Sequence, residues 1–521
     1  MVSVFSVSFL APIVLLLAAA FAFANPGRRP GRLPQLSEAA GLAALTLTAG
    51  GVLQFSLAGP SQLSLFDGPA MFALRADLVS ATMALLVGFI AWIVMRYSRS
   101  YLDGEAREGA FHGLMLATLA AVLIFVQSGS LWTLLVATLC IGLGLRRLLL
   151  FYPERPEAQR AATKFTLVWH TGDVALAIAA VLLVASFGTA DIGDIAALAA
   201  LNGLGITGQI AIALVVVAAL LKTAAFPVHG WLTEVMEAPT PVSALLHAGI
   251  INSGGVLLIT LSGLVQFSPG AMAALVMLGG FTALFGAAVM LTQSAVKTAL
   301  AWSTVSQMGF MLLQCGLGLW ALALLHILAH SLYKAHAFLS SGGAVRAVAS
   351  LRRPGPVAVP SLGAVLKSFA VAIVLYVLIA VLFAAVIGPK TAQTLALGAI
   401  LIFGVAYLVA QGLADMAPWE LTKRTVLASV ATAIAYFAFQ AVAHLVWGRA
   451  LPAAPVPGPL EWALIVLAVA SFGLVAFAQA LFPLWAHHPA TSGLRVHLAN
   501  GLYLNALLDR AIGGFSTARS N

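Results

Sequence analysis

Charge is what this chain has least of. Only 8% of its 521 residues are Asp, Glu, Lys or Arg, while 61% are hydrophobic. An ordinary soluble domain carries about 25% charged residues. So little charge cannot cover a water-facing surface, and much of the exterior must face lipid. Cysteine is scarce too. Cys140 and Cys315 lie far apart inside apolar runs, without the Cys or His spacing of a zinc, haem or iron–sulfur site. They read as small packing residues. No Gly-rich phosphate loop, nucleophile elbow or Ser/His/Asp order appears with the flanking elements it would need. The 47 glycines are scattered through the apolar runs, as suits close helix packing in lipid. These absences point to transport rather than bond-making chemistry.

The net charge of +9 would suit nucleic-acid binding only if it formed a basic stripe interleaved with aromatics, and it does not. The basic residues fall in short connections between apolar runs. Those runs lie near 4–24, 36–58, 74–95, 110–127, 130–151, 165–187, 206–226 and 241–264. Others lie near 270–291, 298–316, 318–345, 362–387, 394–414, 426–447 and 460–482. About twenty helical residues cross a bilayer, so the chain is expected to be an all-α polytopic membrane protein of about 15 transmembrane helices. Residues 4–24 resemble a signal peptide, but no basic residue precedes them and Arg28, Arg29 and Arg32 follow. They are expected to be a retained first span.

Connections after odd-numbered runs hold 20 of the 26 Lys and Arg residues, among them Arg146, Arg147, Lys164, Arg352 and Arg519, while those after even-numbered runs hold only Arg75, Lys390 and Arg449. By the positive-inside rule the N-terminus lies outside and the C-terminus in the cytoplasm. The Arg/Pro stretch 346–360 is the expected hinge before a C-terminal group of spans. Residues 495–515 are mixed in polarity and read as an amphipathic or cytoplasmic tail.

Ionisable groups within spans are costly in lipid and mark pathways or partners. Asp173, Lys222, His247, His326, His330 and Lys334 form this set. Lys222 precedes Phe226-Pro227, and proline should break the helix close to it. Broken helices expose backbone to hydrated cavities at membrane depth, although a snorkelling lysine at a span's end is the plainer alternative. His326, His330 and Lys334 recur every four residues, so they line one helix face at intervals of about 6 Å. The carboxylate or thiolate ligands of a metal site are missing there. A proton relay or interhelical hydrogen bonds are the two readings. Asp173 either pairs with Arg146 or Arg147 at the membrane edge or serves the intramembrane set, where His247 is placed to exchange protons with Lys222.

Three blocks carry a resemblance. They are Lys222-Thr-Ala-Ala-Phe-Pro-Val-His-Gly-Trp through Pro239-Thr-Pro to His247, Leu291-Thr-Gln-Ser-Ala-Val-Lys297 with Ala301–Gly309, and His326-x3-His330-x3-Lys334 through Gly342. Together, covering about residues 110–345, they resemble the antiporter-like subunits of respiratory complex I, relatives of multisubunit cation/proton antiporters. The resemblance implies two inverted five-helix repeats, each with a broken helix carrying a lysine. It divides the chain into N-terminal helices (1–109), a first repeat (110–264), a second repeat (265–415) and C-terminal helices with a cytoplasmic tail (416–521). Lys222 matches the first broken-helix lysine. His247, His326, His330 and Lys334 match the central polar axis, Asp173 a family acidic position, Glu237 a loop glutamate, and Lys390 the second lysine.

One feature departs from that pattern. The fifth run, Leu135–Gly142, lacks the family's glutamate partner for the first lysine, which leaves Asp173 as the expected partner. That gap, the length and the tail Val496–Gly513 are similar to the membrane subunits of DAB inorganic-carbon accumulation complexes. This implies a non-enzymatic ion-translocating subunit of a bacterial inner membrane, driven by H+ or Na+. Its expected partner is a cytoplasmic DabA-like protein, similar to a β-carbonic anhydrase and holding zinc, which hydrates CO2 to bicarbonate. No cofactor is expected in this chain. A proton-pumping subunit of NADH:quinone oxidoreductase and a subunit of a Na+/H+ antiporter are the alternatives.

Overall fold

A computed structural model describes residues 5–350, 361–412, 419–481, 485 and 488–511. Helices α1 (Ala11–Ala24) and α2 (Leu33–Ala58) precede an antiparallel hairpin of β1 (Ser61–Leu65) and β2 (Phe72–Ala76). Then come α3 (Leu78–Tyr101), α4 (Glu108–Val126), α5 (Leu131–Leu149), α6 (Pro156–Phe187), the short α7 (Ile192–Asn202) and α8 (Gly205–Lys222). The chain returns in pieces: α9 (Gly230–Thr233), α10 (Thr240–Ala248), α11 (Ser253–Thr260) and α12 (Ser262–Val265). The second half holds α13 (Pro269–Met290), α14 (Val296–Gly316), α15 (Trp320–Ser350), α16 (Leu362–Ile387) and α17 (Ala392–Gly412). It continues with α18 (Trp419–Trp447) and α19 (Pro459–Ala480), and ends in α20 (Pro489–Ala499) and α21 (Leu504–Ala511).

Thirteen helical stretches among the described residues are long and apolar enough to cross a membrane. The other two expected runs, α14 and α17, are helical as well. α14 is polar for its length, with Ser303, Thr304, Ser306 and Gln307, and residues 392–404 of α17 form a shorter apolar stretch. Helix starts follow local chemistry. Asp77 and Ser80 cap α3 reciprocally, with both backbone-to-side-chain bonds at 2.8 Å. Pro156, Pro269 and Pro459 occupy first-turn positions, where a missing N–H costs nothing.

The core runs through the first half. α4 and the α10–α11 run are nearly enclosed, whereas α16, α18 and α19 leave Leu and Val side chains such as Leu378, Leu445 and Val466 on the outer surface. Connections after odd-numbered runs gather at one end. There Arg28 Nε donates to Gly104 O at 2.5 Å, and Arg29 pairs with Asp103 and Arg155 with Glu237 at 3.3 and 2.8 Å. Connections after even-numbered runs gather at the other end, where Leu74 pairs with Ser128, Ser130 with Asp191, and Gln62 Nε2 donates to Asp191 Oδ2 at 2.8 Å. One threading therefore accounts for both ends.

Several expected boundaries move. α6 begins at Pro156 rather than near 165, so Lys164, assigned above to a connection, is a fully buried helical residue. Residues 72–76 pair with 61–65 before α3 begins, and residues 192–202 of the 188–205 connection are helical. Of the expected hinge, residues 346–350 continue α15, and 351–360 lie outside the described residues, as do Arg352, Arg353 and Arg519. The second expected broken helix is absent among the described residues: α16 runs uninterrupted from Leu362 to Ile387.

Helices α13 and α14 approach through glycine. A Cβ at Gly309 would stand 2.4 Å from the Ala283 nitrogen, and one at Gly279 2.6 Å from the Leu313 nitrogen. Backbone cannot yield as a flexible side chain can, so close packing here requires glycine. Gly309→Val is expected to cost about 1–3 kcal/mol by overpacking, read as a lowered thermal midpoint of the detergent-purified protein. Gly404→Val, where nothing lies within 4 Å of the added Cβ, should leave the midpoint near wild type.

Candidate functional site

α8 ends at Lys222, as the sequence predicts. After it the chain runs without helix through Thr223-Ala-Ala-Phe-Pro-Val-His229, with Ala224 at φ +51°. The Lys222 side chain is fully buried, so the snorkelling alternative does not hold. Its Nζ donates to Asp173 Oδ1 at 2.6 Å, and the other carboxylate oxygen meets His170 Nδ1 at 2.8 Å. Asp173 is 3% exposed; it pairs with Lys222, whereas Arg146 and Arg147 are exposed at the end of α5. On α6, Phe165, Trp169 and Asp173 follow at four-residue intervals and share a face. The Trp169 ring centroid lies 4.0 Å from Lys222 Nζ, a cation–π contact.

The same geometry explains the missing glutamate. α5 presents the Thr138 carbonyl to Trp169 Nε1 at 3.1 Å. A Cβ at Gly142 would stand 2.6 Å from the Trp169 ring. The fifth helix thus makes room for an indole, and the negative charge comes from the sixth.

A second polar group lies deeper in the bundle. His247, fully buried on α10, stacks on Phe338 with centroids 4.3 Å apart, and its Nδ1 is 3.1 Å from Thr304 Oγ1. His326 Nδ1 is 2.9 Å from Gln314 Oε1, and its ring centroid lies 6.1 Å from that of His330. Lys334, also fully buried, donates to Leu300 O at 2.8 Å and to Ser303 Oγ. Neutral oxygens hold it, and among the described residues no carboxylate lies within ion-pair distance. The Nε2 atoms of His247 and His330 have no hydrogen-bond partner. No hydrogen bond joins Lys222 to His247.

Between α10 and α11 the helix is interrupted around Gly249–Asn252. There Asn252 Nδ2 donates to Ser331 Oγ at 3.0 Å, while its buried Oδ1 has no partner. These residues line a cavity of about 20 Å³ with Met83, Val126 and Val256, enough for one water. Those three apolar residues divide it from an outer cavity of about 230 Å³ lined by Arg75, Asp77, Ser80 and Ser128 at the hairpin end.

Two expected site residues stand apart. Glu237 pairs with Arg155 in the connection after α9 and is 40% exposed. Lys390, in the connection between α16 and α17, lines a cavity with His444 and Gly448 at the hairpin end. The sequence reading passed over His112, which is fully buried in α4 with both ring nitrogens unpartnered, and over Asn252. A lone imidazole and a lone amide within apolar runs were the available signals. It also passed over Lys164, whose Nζ lies 2.6 Å from both Glu234 and Asp509. Burial pushes the Glu234 carboxyl upward, and the Lys164 ammonium opposes the shift.

The profile of the "NADH:quinone oxidoreductase/Mrp antiporter, TM" family matches residues 128–355, and that of the "NADH-Ubiquinone oxidoreductase (complex I), chain 5 N-terminus" family matches residues 65–112. The "Probable inorganic carbon transporter subunit DabB2" of Halothiobacillus neapolitanus is 38% identical over 462 residues, which cover 86% of this chain and 81% of that protein. The chain belongs to the DabB family. Members of this family are membrane subunits within the wider antiporter-like superfamily, and with thirteen membrane-length apolar helices among the described residues this chain is a multi-pass membrane protein. NADH-quinone oxidoreductase subunit L of Mycobacterium tuberculosis is 35% identical over 286 residues, covering 53% of this chain and 44% of that protein. The fold is that of a chain in the Mrp complex from Dietzia sp. DQ12-45-1b, at TM-score 0.62 and 22% identity over 98% of this chain and 60% of that one.

Removing one partner of a buried ion pair leaves an uncompensated charge. Asp173→Leu is therefore expected to destabilise the purified protein by about 3–5 kcal/mol. Asp173→Leu combined with Lys222→Met should recover most of that loss. Denaturant titration of the two variants checks this, and a double variant no better than the single removes the pair from the stability of the fold.

Proposed function

We propose that this chain is the ion-translocating subunit of an energy-coupled inorganic-carbon uptake complex in a bacterial inner membrane, with its N-terminus outside and its C-terminus in the cytoplasm. The observation that carries this reading is a buried ammonium–carboxylate pair at a helix break. Asp173 and Lys222 are each other's compensation. A proton on Asp173 cancels the charge that holds the Lys222 ammonium. Lys222 then passes its own proton towards the water-sized cavity and the His247, His330 and Lys334 row. The neutral amine takes back the proton from Asp173, and one proton has moved. A proton is the simplest cargo for imidazole and amine groups, and Na+ is the competitor.

Names and extent of coverage support the carbon reading over a redox pump. The DabB2 relative is matched over 81% of its length, the complex I subunit over 44%. In this reading the chemistry resides in a cytoplasmic, zinc-holding DabA-like partner, which hydrates CO2 to bicarbonate. Ion flow through this chain drives that hydration in one direction. In this reading the bundle's own polar groups serve ion movement.

Expression with such a partner should restore growth in ordinary air to a carbonic-anhydrase-deficient bacterium. Lys222→Ala should abolish it, and His326→Ala with His330→Ala should reduce it about a hundredfold or more, since one proton-transfer group contributes roughly 10²–10⁴-fold. Full growth of the Lys222→Ala strain would remove that residue from the mechanism. Uptake that survives an uncoupler but stops without Na+ would identify the other cation.

A further inference from the structure

The tail from the end of α20 onwards touches both halves of the bundle at four points. Gln293, between α13 and α14, donates to Ala499 O at 3.2 Å. Gly501, at φ +56°, lies so close to Trp302 that an added Cβ would be 3.2 Å from the indole. Asn505 Nδ2 donates to Thr233 Oγ1 at 3.1 Å, and its Oδ1 occupies the place where a Cβ on Gly230 would project. Asp509 Oδ1 lies 2.6 Å from Lys164 Nζ, which is already hydrogen-bonded to both Glu234 oxygens at 2.6 Å. Asn505 and Asp509 are four residues apart and share one face of α21. Gln293 and Trp302 belong to the second half, and Lys164, Gly230, Thr233 and Glu234 to the first.

The buried lysine is what makes the last contact matter. Lys164 is wholly enclosed, and a buried ammonium needs compensation. Glu234 provides one charge from the connection after α8, and Asp509 a second from the tail. From this cluster, contacts lead to Lys222. Trp231 lies between Thr233 and the aromatic face of α6, with centroids 5.4 Å from Phe165 and 6.3 Å from Trp169. Trp169 in turn covers the Lys222 ammonium. A shift of residues 230–234 therefore repacks the indole that faces the ion pair.

We propose that Asn505 and Asp509 are positioning residues for ion translocation. The tail clamps the 223–239 connection against both halves of the bundle and so holds the helix break at Lys222 in its working geometry. This rests on the functional reading above only for the word translocation; the clamp stands on the contacts. Neither residue touches the ion, and both act through Thr233, Glu234 and Trp231.

The test uses the full chain purified with its co-purifying partner and reconstituted in vesicles. Amide hydrogen exchange over 230–237 and ion flux, read with an entrapped pH dye, are measured together. Asp509→Ala should speed exchange there about tenfold, the loss of one close ion pair to a buried ammonium, leave exchange in α3 and α4 unchanged, and cut flux by a similar factor. Asp509→Glu should restore both. Asn505→Ala, which removes a single neutral hydrogen bond to Thr233, should give a smaller change in the same direction and serves if Asp509→Ala does not fold. Unchanged exchange at 230–237 in these variants overturns the clamp. Faster exchange with full flux overturns the positioning role. A wild-type protein without ion flux refutes the function proposed above, and the exchange arm still decides the clamp.

Discussion

An ammonium and a carboxylate at lipid depth tolerate burial only together, and the arrangement around Lys222 follows from that constraint. The desolvation of two ions is offset when their geometry is close and the remaining donors and acceptors find partners. Here the second Asp173 oxygen is taken by His170, and the Lys222 ammonium lies against the Trp169 ring. α6 presents indole and carboxylate one turn apart, and α5 yields space for the indole at Gly142. The helix that carries the lysine stops at it, so the pair lies where backbone regularity ends.

The two buried lysines are held differently. Lys222 faces a full negative charge, whereas Lys334 is held by a carbonyl and a hydroxyl. Between these two environments lie His247, His330 and the Asn252–Ser331 cavity, with acceptor positions unfilled. Polar groups buried at membrane depth are costly without partners, and in the proposed function they form the ion path. The tail, pinned at the far end of the aromatic face, bears on Lys222 through packing.

Apolar length was the most legible signal: each of the fifteen runs is occupied by helix, because the bilayer demands that backbone groups be satisfied internally. The alternation of basic connections was equally legible, and the contacts at the two ends agree with it. Legibility failed where hydropathy is silent. The β1–β2 hairpin is too short for its period-two pattern to stand out, and the polar first turns of α6 looked like a connection, which hid Lys164. Lys390 matched a family position by sequence neighbourhood, yet it lies at the rim, beyond the end of a continuous α16.

The amino-acid sequence by itself determined the membrane class, the helix break at Lys222, the row His326, His330 and Lys334, and the absence of an acid in the fifth run. Each is a local property: apolar length, a proline, a four-residue spacing, a missing residue type. Only the tertiary structure decided which acid compensates Lys222, that Lys390 stays outside the row, and that Asp509 reaches Lys164 across 345 residues of chain. Charge pairing inside a bundle depends on which helix faces meet, and pairwise packing of distant segments sets that.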